Sequence, residues 1–149
     1  MTMKIGATTT LALLVWTAVS SSSIAQQTAA AIAEKQNRLV AEHLDVLSIP
    51  SAIYARRRPG ANTLKDYGFV RVEPFDGGIR LTDQNRQRFF GVKILEDNGG
   101  FKLLCIQDEA LTGSKVIMQN AVEVKLGRDG LFHGTGRVEQ TEACPLYQR

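Results

Sequence analysis

The 149 residues carry 18 lysines and arginines against 15 aspartates and glutamates, a formal charge of +3, with two cysteines and two histidines. So small a charge supplies no global field for nucleic acid or an anionic bilayer, and two cysteines with distant histidines lack the ligand spacing of a zinc site. The length argues for one domain rather than two.

The chain opens with a weakly positive stretch ending at Lys4, followed by an apolar run over residues 11–19. Crossing a hydrocarbon core takes about 20 apolar residues, so this run is too short for an anchor. With Ser23 and Ala25 at the third and first positions before the expected cut, residues 1–25 read as a cleaved secretion signal. No cysteine follows the run where lipid attachment would need one, so the mature chain, 26–149, is expected to be exported, periplasmic or secreted, without a stable membrane anchor. Loss of Lys4 leaves it at +2. In an oxidising compartment Cys105 and Cys144 are expected to form one disulfide.

Residues 28–48 lack glycine and proline, and Ile32, Ala33, Leu39, Val40, His43, Leu44 and Leu47 recur at helical intervals, which predicts an amphipathic helix stopped by Pro50. Residues 51–66 hold Pro59, Gly60 and Asn62 and predict an irregular loop, with a short strand at 52–55. Within it, Tyr54 followed by Arg56, Arg57 and Arg58 is a grouping suited to carboxylate, sulfate or phosphate on a partner.

From residue 68 to 139 the period becomes two. Segments 69–73 and 79–82 flank Phe75-Asp76-Gly77-Gly78, segments 89–95 and 101–107 flank Asn98-Gly99-Gly100, and segments 116–126 and 131–138 flank Gly127-Arg128-Asp129-Gly130, three hairpin signals in succession. The expectation is an α+β fold, one helix packed on a curved antiparallel meander of about six strands, sandwich-like or a partly closed barrel. The middle hairpin is apolar in both phases, which calls for cover on both faces from a curling sheet or a second molecule. Gly134 and Gly136 in the last strand predict a bend or bulge. The tail, 140–149, is tethered to the sheet through Cys144.

Chemistry is sparse. Of the serines expected in the mature chain, Ser48, Ser51 and Ser114, none stands in a nucleophile motif, and His43 lies beside the apolar helix face. His133, four residues after Asp129, is the histidine best placed for acid–base work. The acids Glu96, Asp97, Asp108 and Glu109 contain the makings of a glycosidase pair or a calcium cage, though turn chemistry accounts for them equally and no calcium-loop spacing is present. No catalytic residue, metal or cofactor is assigned. The pattern points to a non-enzymatic binding or accessory protein that meets a protein, an anionic glycan or a lipid headgroup through Arg56, Arg57, Arg58, Tyr54 and an exposed aromatic, Phe89. Two alternatives stay open: a small secreted hydrolase using His133 with a nearby carboxylate, and a subunit of an envelope assembly or homo-oligomer.

Overall fold

The computed structural model describes residues 20–53, 56–110 and 117–144. Most of the expected leader, Tyr54, Ser114 and Val116 lie outside the described residues. Helix α1 spans Ser20–Glu42, and six strands follow: β1 Phe69–Phe75, β2 Gly78–Asp83, β3 Arg88–Asp97, β4 Phe101–Ala110, β5 Ile117–Leu126 and β6 Phe132–Glu139. Each strand pairs antiparallel with its neighbours in chain order, giving the predicted meander and the α+β class. The sheet does not close into a barrel; β1 and β6 are its two ends.

The hairpins sit where their turn residues place them. Asp76 and Gly77 both adopt positive φ, 49° and 73°, the conformation whose twist matches that of the flanking strands. A two-residue turn fixes the register: Phe75 faces Gly78, Glu73 faces Arg80, and Arg71 faces Thr82, with Val70 bulged out below.

The alternation then sorts the faces. Ile79, Leu81, Phe90, Val92, Leu104, Ile106, Val122 and Val124 point inward and are buried with Val40, Ala41, Leu44, Val46, Ile53, Leu64 and Phe132.

Helix α1 ends at Glu42, five residues short of Leu47, the last apolar position in the helical pattern. Beyond it the chain turns extended and lies parallel to β6: Phe132 donates its N–H to the His43 carbonyl and accepts from the Asp45 N–H, at 2.8 and 2.9 Å. Leu44 and Val46 are thus buried by a period of two, and the backbone of 43–46 covers the start of the β6 edge, at Phe132. Gly134 makes this possible, since a Cβ there would lie 2.3 Å from the Ser48 carbonyl oxygen. Its expected bend is a close approach of the chain's own backbone, whereas Gly136, at φ +86°, sits within the irregularity where Val122 faces Val138 and Val124 faces Gly134.

The docked face of α1 also differs from the apolar stripe read in the sequence. Ile32 and Leu39 are more than half exposed, while Asn37 is buried beside Val40 and Ala41. Its amide donates to the carbonyls of Ala33 and Gly77, and its carbonyl accepts the Ile94 N–H at 2.7 Å. A polar side chain therefore pins the helix to β3 by satisfying a strand N–H that β2 is too short to reach.

The two-sided cover of the middle hairpin is settled without a curled sheet. On the outer face Leu103 and Ala121 are buried under Cys144, which is bonded to Cys105 on β4 with a Cα–Cα distance of 5.4 Å. The expected short strand at 52–55 is replaced at Ala52 and Ile53 by a turn, and the loop that follows carries a short 3-10 helix at Lys65–Tyr67.

Candidate functional site

The arginine run does not form one patch. Arg58 is used by its own loop: its guanidinium donates to the Asp66 carbonyl and lies 5.1 Å from the centre of the Tyr67 ring, while its N–H reaches the Tyr67 hydroxyl. Tyr67 in turn donates to Ala61, and Asp66 caps the segment through Asn62 and Thr63, which holds its carboxyl below the usual carboxylate range. Arg56 lines a small cavity of about 100 Å³ with Ala52, Ala110 and the buried pair Arg88–Asp108. Arg57 is exposed and engaged elsewhere. Tyr54 lies outside the described residues.

Phe89 is on the other face of the sheet from that cavity, because Arg88 and Phe89 are successive residues of one strand. It is buried rather than exposed, 6% accessible, under the guanidinium of Arg80. Arg80 stands 5.3 Å from the Phe89 ring centre and 4.8 Å from that of Phe75, and the two rings are 6.0 Å apart. Its Nε donates to Glu73 Oε1 at 2.8 Å, and its Nη2 bonds the same oxygen, so Oε2 is left over.

Around this clamp lies a cleft of about 320 Å³ lined by Arg71, Glu73, Arg80, Thr82, Arg86 and Phe89. Arg71 from β1 and Arg86 from the β2–β3 turn are both exposed, and neither makes an ion pair among the described residues. Arg86 holds φ at +55°, a conformation that glycine or asparagine adopts more cheaply. The cleft therefore presents two unpaired guanidiniums over an aromatic-backed third. Chemically it can grip a carboxylate, sulfate or phosphate by charge-assisted hydrogen bonds.

No family model, curated protein or solved structure matches this chain.

His133 meets Asp129, as its spacing suggested, but a second acid closes the other side. Nε2 lies 2.9 and 3.0 Å from the two Asp129 oxygens, and Nδ1 lies 3.0 Å from Asp45 Oδ2. Both ring nitrogens thus face carboxylates. The Asp129 bond, then that to Asp45, raises the imidazole above its ordinary value, and the His133 bond lowers the Asp129 carboxyl. With carboxylates at both nitrogens, the His133 ring is held between β6 and the segment that follows α1. Ser48, the nearest expected nucleophile, donates to the Asp45 carbonyl at 2.7 Å and accepts the Gly134 N–H at 2.8 Å.

This arrangement is a clasp between the 43–46 segment and β6, and its linkage has a sign. A raised imidazole contributes stability below pH 6.5, its unfolded value, and loses it as pH rises through the folded one. The lowered Asp129 acts oppositely, contributing above its ordinary value of 3.8 and failing as pH falls through the folded one. The melting temperature is expected to drop by a few degrees at most between about pH 5.5 and 8, since both pairs are partly solvated, and His133→Gln should flatten that slope. An unchanged slope in calorimetry of the variant would remove the clasp.

The remaining acids do not gather. Glu96 faces Leu103 while Asp108 faces Phe90, six residues apart along β3, or about 20 Å at the rise of a strand. That exceeds any glycosidase pair. Asp108 and Glu109, being adjacent in β4, point to opposite faces.

Proposed function

We propose that the chain is a small, exported, non-enzymatic binding protein that takes an anionic envelope component, a glycan bearing carboxylate or sulfate groups, into the cleft on the outer face of β1, β2 and β3. The observation that carries this reading is the pair of unpaired guanidiniums, Arg71 and Arg86, flanking Arg80 where Phe75 and Phe89 hold it. Binding energy is available there because the third guanidinium is already oriented, so little side-chain entropy is lost on contact. Export is supported by the leader-like residues 1–25 and by a cystine, which endures outside the reducing cytoplasm. Among the described residues no helix is long and apolar enough to cross a membrane.

The binding reading is favoured over the hydrolase alternative because both His133 nitrogens are engaged by Asp45 and Asp129. The arginine loop enters only through Arg56 and Arg57, since Arg58 braces the fold.

The test is a titration of the protein, followed by amide chemical shifts, with uronic-acid and sulfated oligosaccharides and with a neutral oligosaccharide of equal length. Shifts are expected at residues 71–73, 80–82 and 86–89, for the charged ligands alone, and they should weaken with added salt. Arg86→Ala is expected to weaken binding by about tenfold, the loss of one charge-assisted contact, with the fold intact. Equal affinity of the variant, or shifts confined to Arg56 and Arg57, would overturn the cleft as the site.

A further inference from the structure

The two ends of the sheet are treated differently. The edge of β6 is covered at its first residue, Phe132, by the chain's own residues 43–46, while β1 pairs with β2 alone. Among the described residues, no backbone hydrogen bond other than those to β2 reaches Val70, Arg71, Val72, Glu73, Pro74 or Phe75. Counting back from the two-residue turn, Phe75, Glu73 and Arg71 exchange bonds with β2, so the N–H and C=O of Val72 point away from the sheet. Pro74 has only a carbonyl to offer there.

We propose that a second copy of this chain pairs with the free edge, β1 against β1 antiparallel, with the twofold axis at Val72, making one continuous sheet of twelve strands. The charges select both the partner and the register. With Val72 opposite Val72, each Arg71 stands across from the other copy's Glu73, on the outer face. Shifting the axis to Arg71 or to Glu73 would set like charges opposite one another. Placing it at Pro74 would lose both axial N–H donors.

Among the described residues Arg71 makes no ion pair, and Glu73 has Oε2 to spare because Arg80 uses Oε1. On the inner face the same register brings Val72 against Val72 and Pro74 against Val70, which is 48% exposed in the single chain. These residues continue the apolar wall of a cavity of about 460 Å³ that Phe69, Val70, Val72 and Leu81 line with Glu42, His43, Thr63 and Lys65.

A twofold contact of this kind is self-complementary, the same patch being used by both copies. Arg71 and Glu73 belong to both the cleft and the contact, so pairing would occupy one of the cleft's two free guanidiniums, whereas Arg86 lies outside the contact, in the turn after β2, and its replacement separates the two proposals.

Sedimentation equilibrium over a concentration series, on the disulfide-bonded secreted protein, tests the pairing. The wild type should show a reversible monomer–dimer equilibrium. Arg71→Glu and Glu73→Arg should each weaken association at least tenfold, and the double exchange R71E/E73R should restore it, each variant being checked for native amide spectra. Val72→Pro, which removes the axial N–H, should also give monomers, whereas Arg86→Ala should leave the dimer unchanged. A wild type that stays monomeric to its solubility limit, a dimer indifferent to all these changes, or single-charge losses that the exchange does not repair would overturn the proposal.

Discussion

Replacing Asp108 with alanine is expected to lower the stability of the fold by about 3–5 kcal/mol, because it strands a buried guanidinium. Asp108 is 2% exposed, and each of its oxygens is used: Oδ1 accepts from Arg88 Nη2 at 2.6 Å and Oδ2 from the Ala52 N–H at 2.8 Å. Arg88 is itself 11% exposed, with its guanidinium 6.0 Å from the Phe69 ring centre and its Nε lacking any partner. A charge already short of one acceptor cannot lose its counterion without drawing water inward or unfolding the loop at Ala52.

The same reasoning separates two kinds of substitution. Asp108→Asn removes the charge and keeps only one acceptor, so its NH2 faces either the Arg88 guanidinium or the Ala52 N–H, and it should recover only a small part of the alanine loss. Replacing both partners with apolar residues, Arg88→Met with Asp108→Leu, should recover part of the loss, since no stranded charge remains although the Ala52 N–H still loses its acceptor. Urea denaturation with unchanged slopes would read these differences as stability. An alanine variant less than about 1 kcal/mol below wild type would mean that the pair is solvated and that the 51–53 turn is held by Ile53 packing alone.

The meander was legible because its turns are written in residue types with few other uses. Asp76-Gly77, Asn98-Gly99-Gly100 and the Gly127 to Gly130 turn announce their hairpins, and the period of two between them assigns the faces. The end of the helix was not legible: Leu44 fits a helical stripe after Val40 and equally a strand-like pair with Val46. Only the remote N–H and C=O of Phe132 decide between them. Asn37 escaped because a polar residue at the centre of a docked face cannot be distinguished, by pattern, from one on the solvent side.

The cleft was half legible. The Asp76-Gly77 turn alone places Glu73 opposite Arg80 and Arg71 opposite Thr82, so one guanidinium–carboxylate pair and one unpaired arginine follow from counting. Phe89 and Arg86 enter through a connection whose residues carry no strong turn signal, with an arginine in the left-handed region. Contiguity misled in the opposite sense at Arg56, Arg57 and Arg58: neighbours in an irregular loop need not share a direction, and Arg58 is turned onto Tyr67 and Asp66.

Removing the disulfide, by Cys105→Ser with Cys144→Ser, is expected to cost about 4 kcal/mol on the chain-entropy account, for a bridge between residues 39 apart. For a domain of this size that corresponds to a fall in melting temperature of roughly 10–20 °C. The structure adds a second consequence that the entropy of a closed loop does not contain. Cys144 is 1% exposed and lies over Leu103 and Ala121, so release of the tail bares the outer face of the middle hairpin. Binding of a hydrophobic dye should therefore increase in the reduced protein while far-ultraviolet circular dichroism shows the sheet still formed. Residues 71–73 and 80–82 of the cleft are carried by the first hairpin, which makes no covalent contact with the tail, and their amide shifts should be the last to move. If reduction instead melts the cleft and the sheet together at ambient temperature, the tail is part of the core rather than a lid on it.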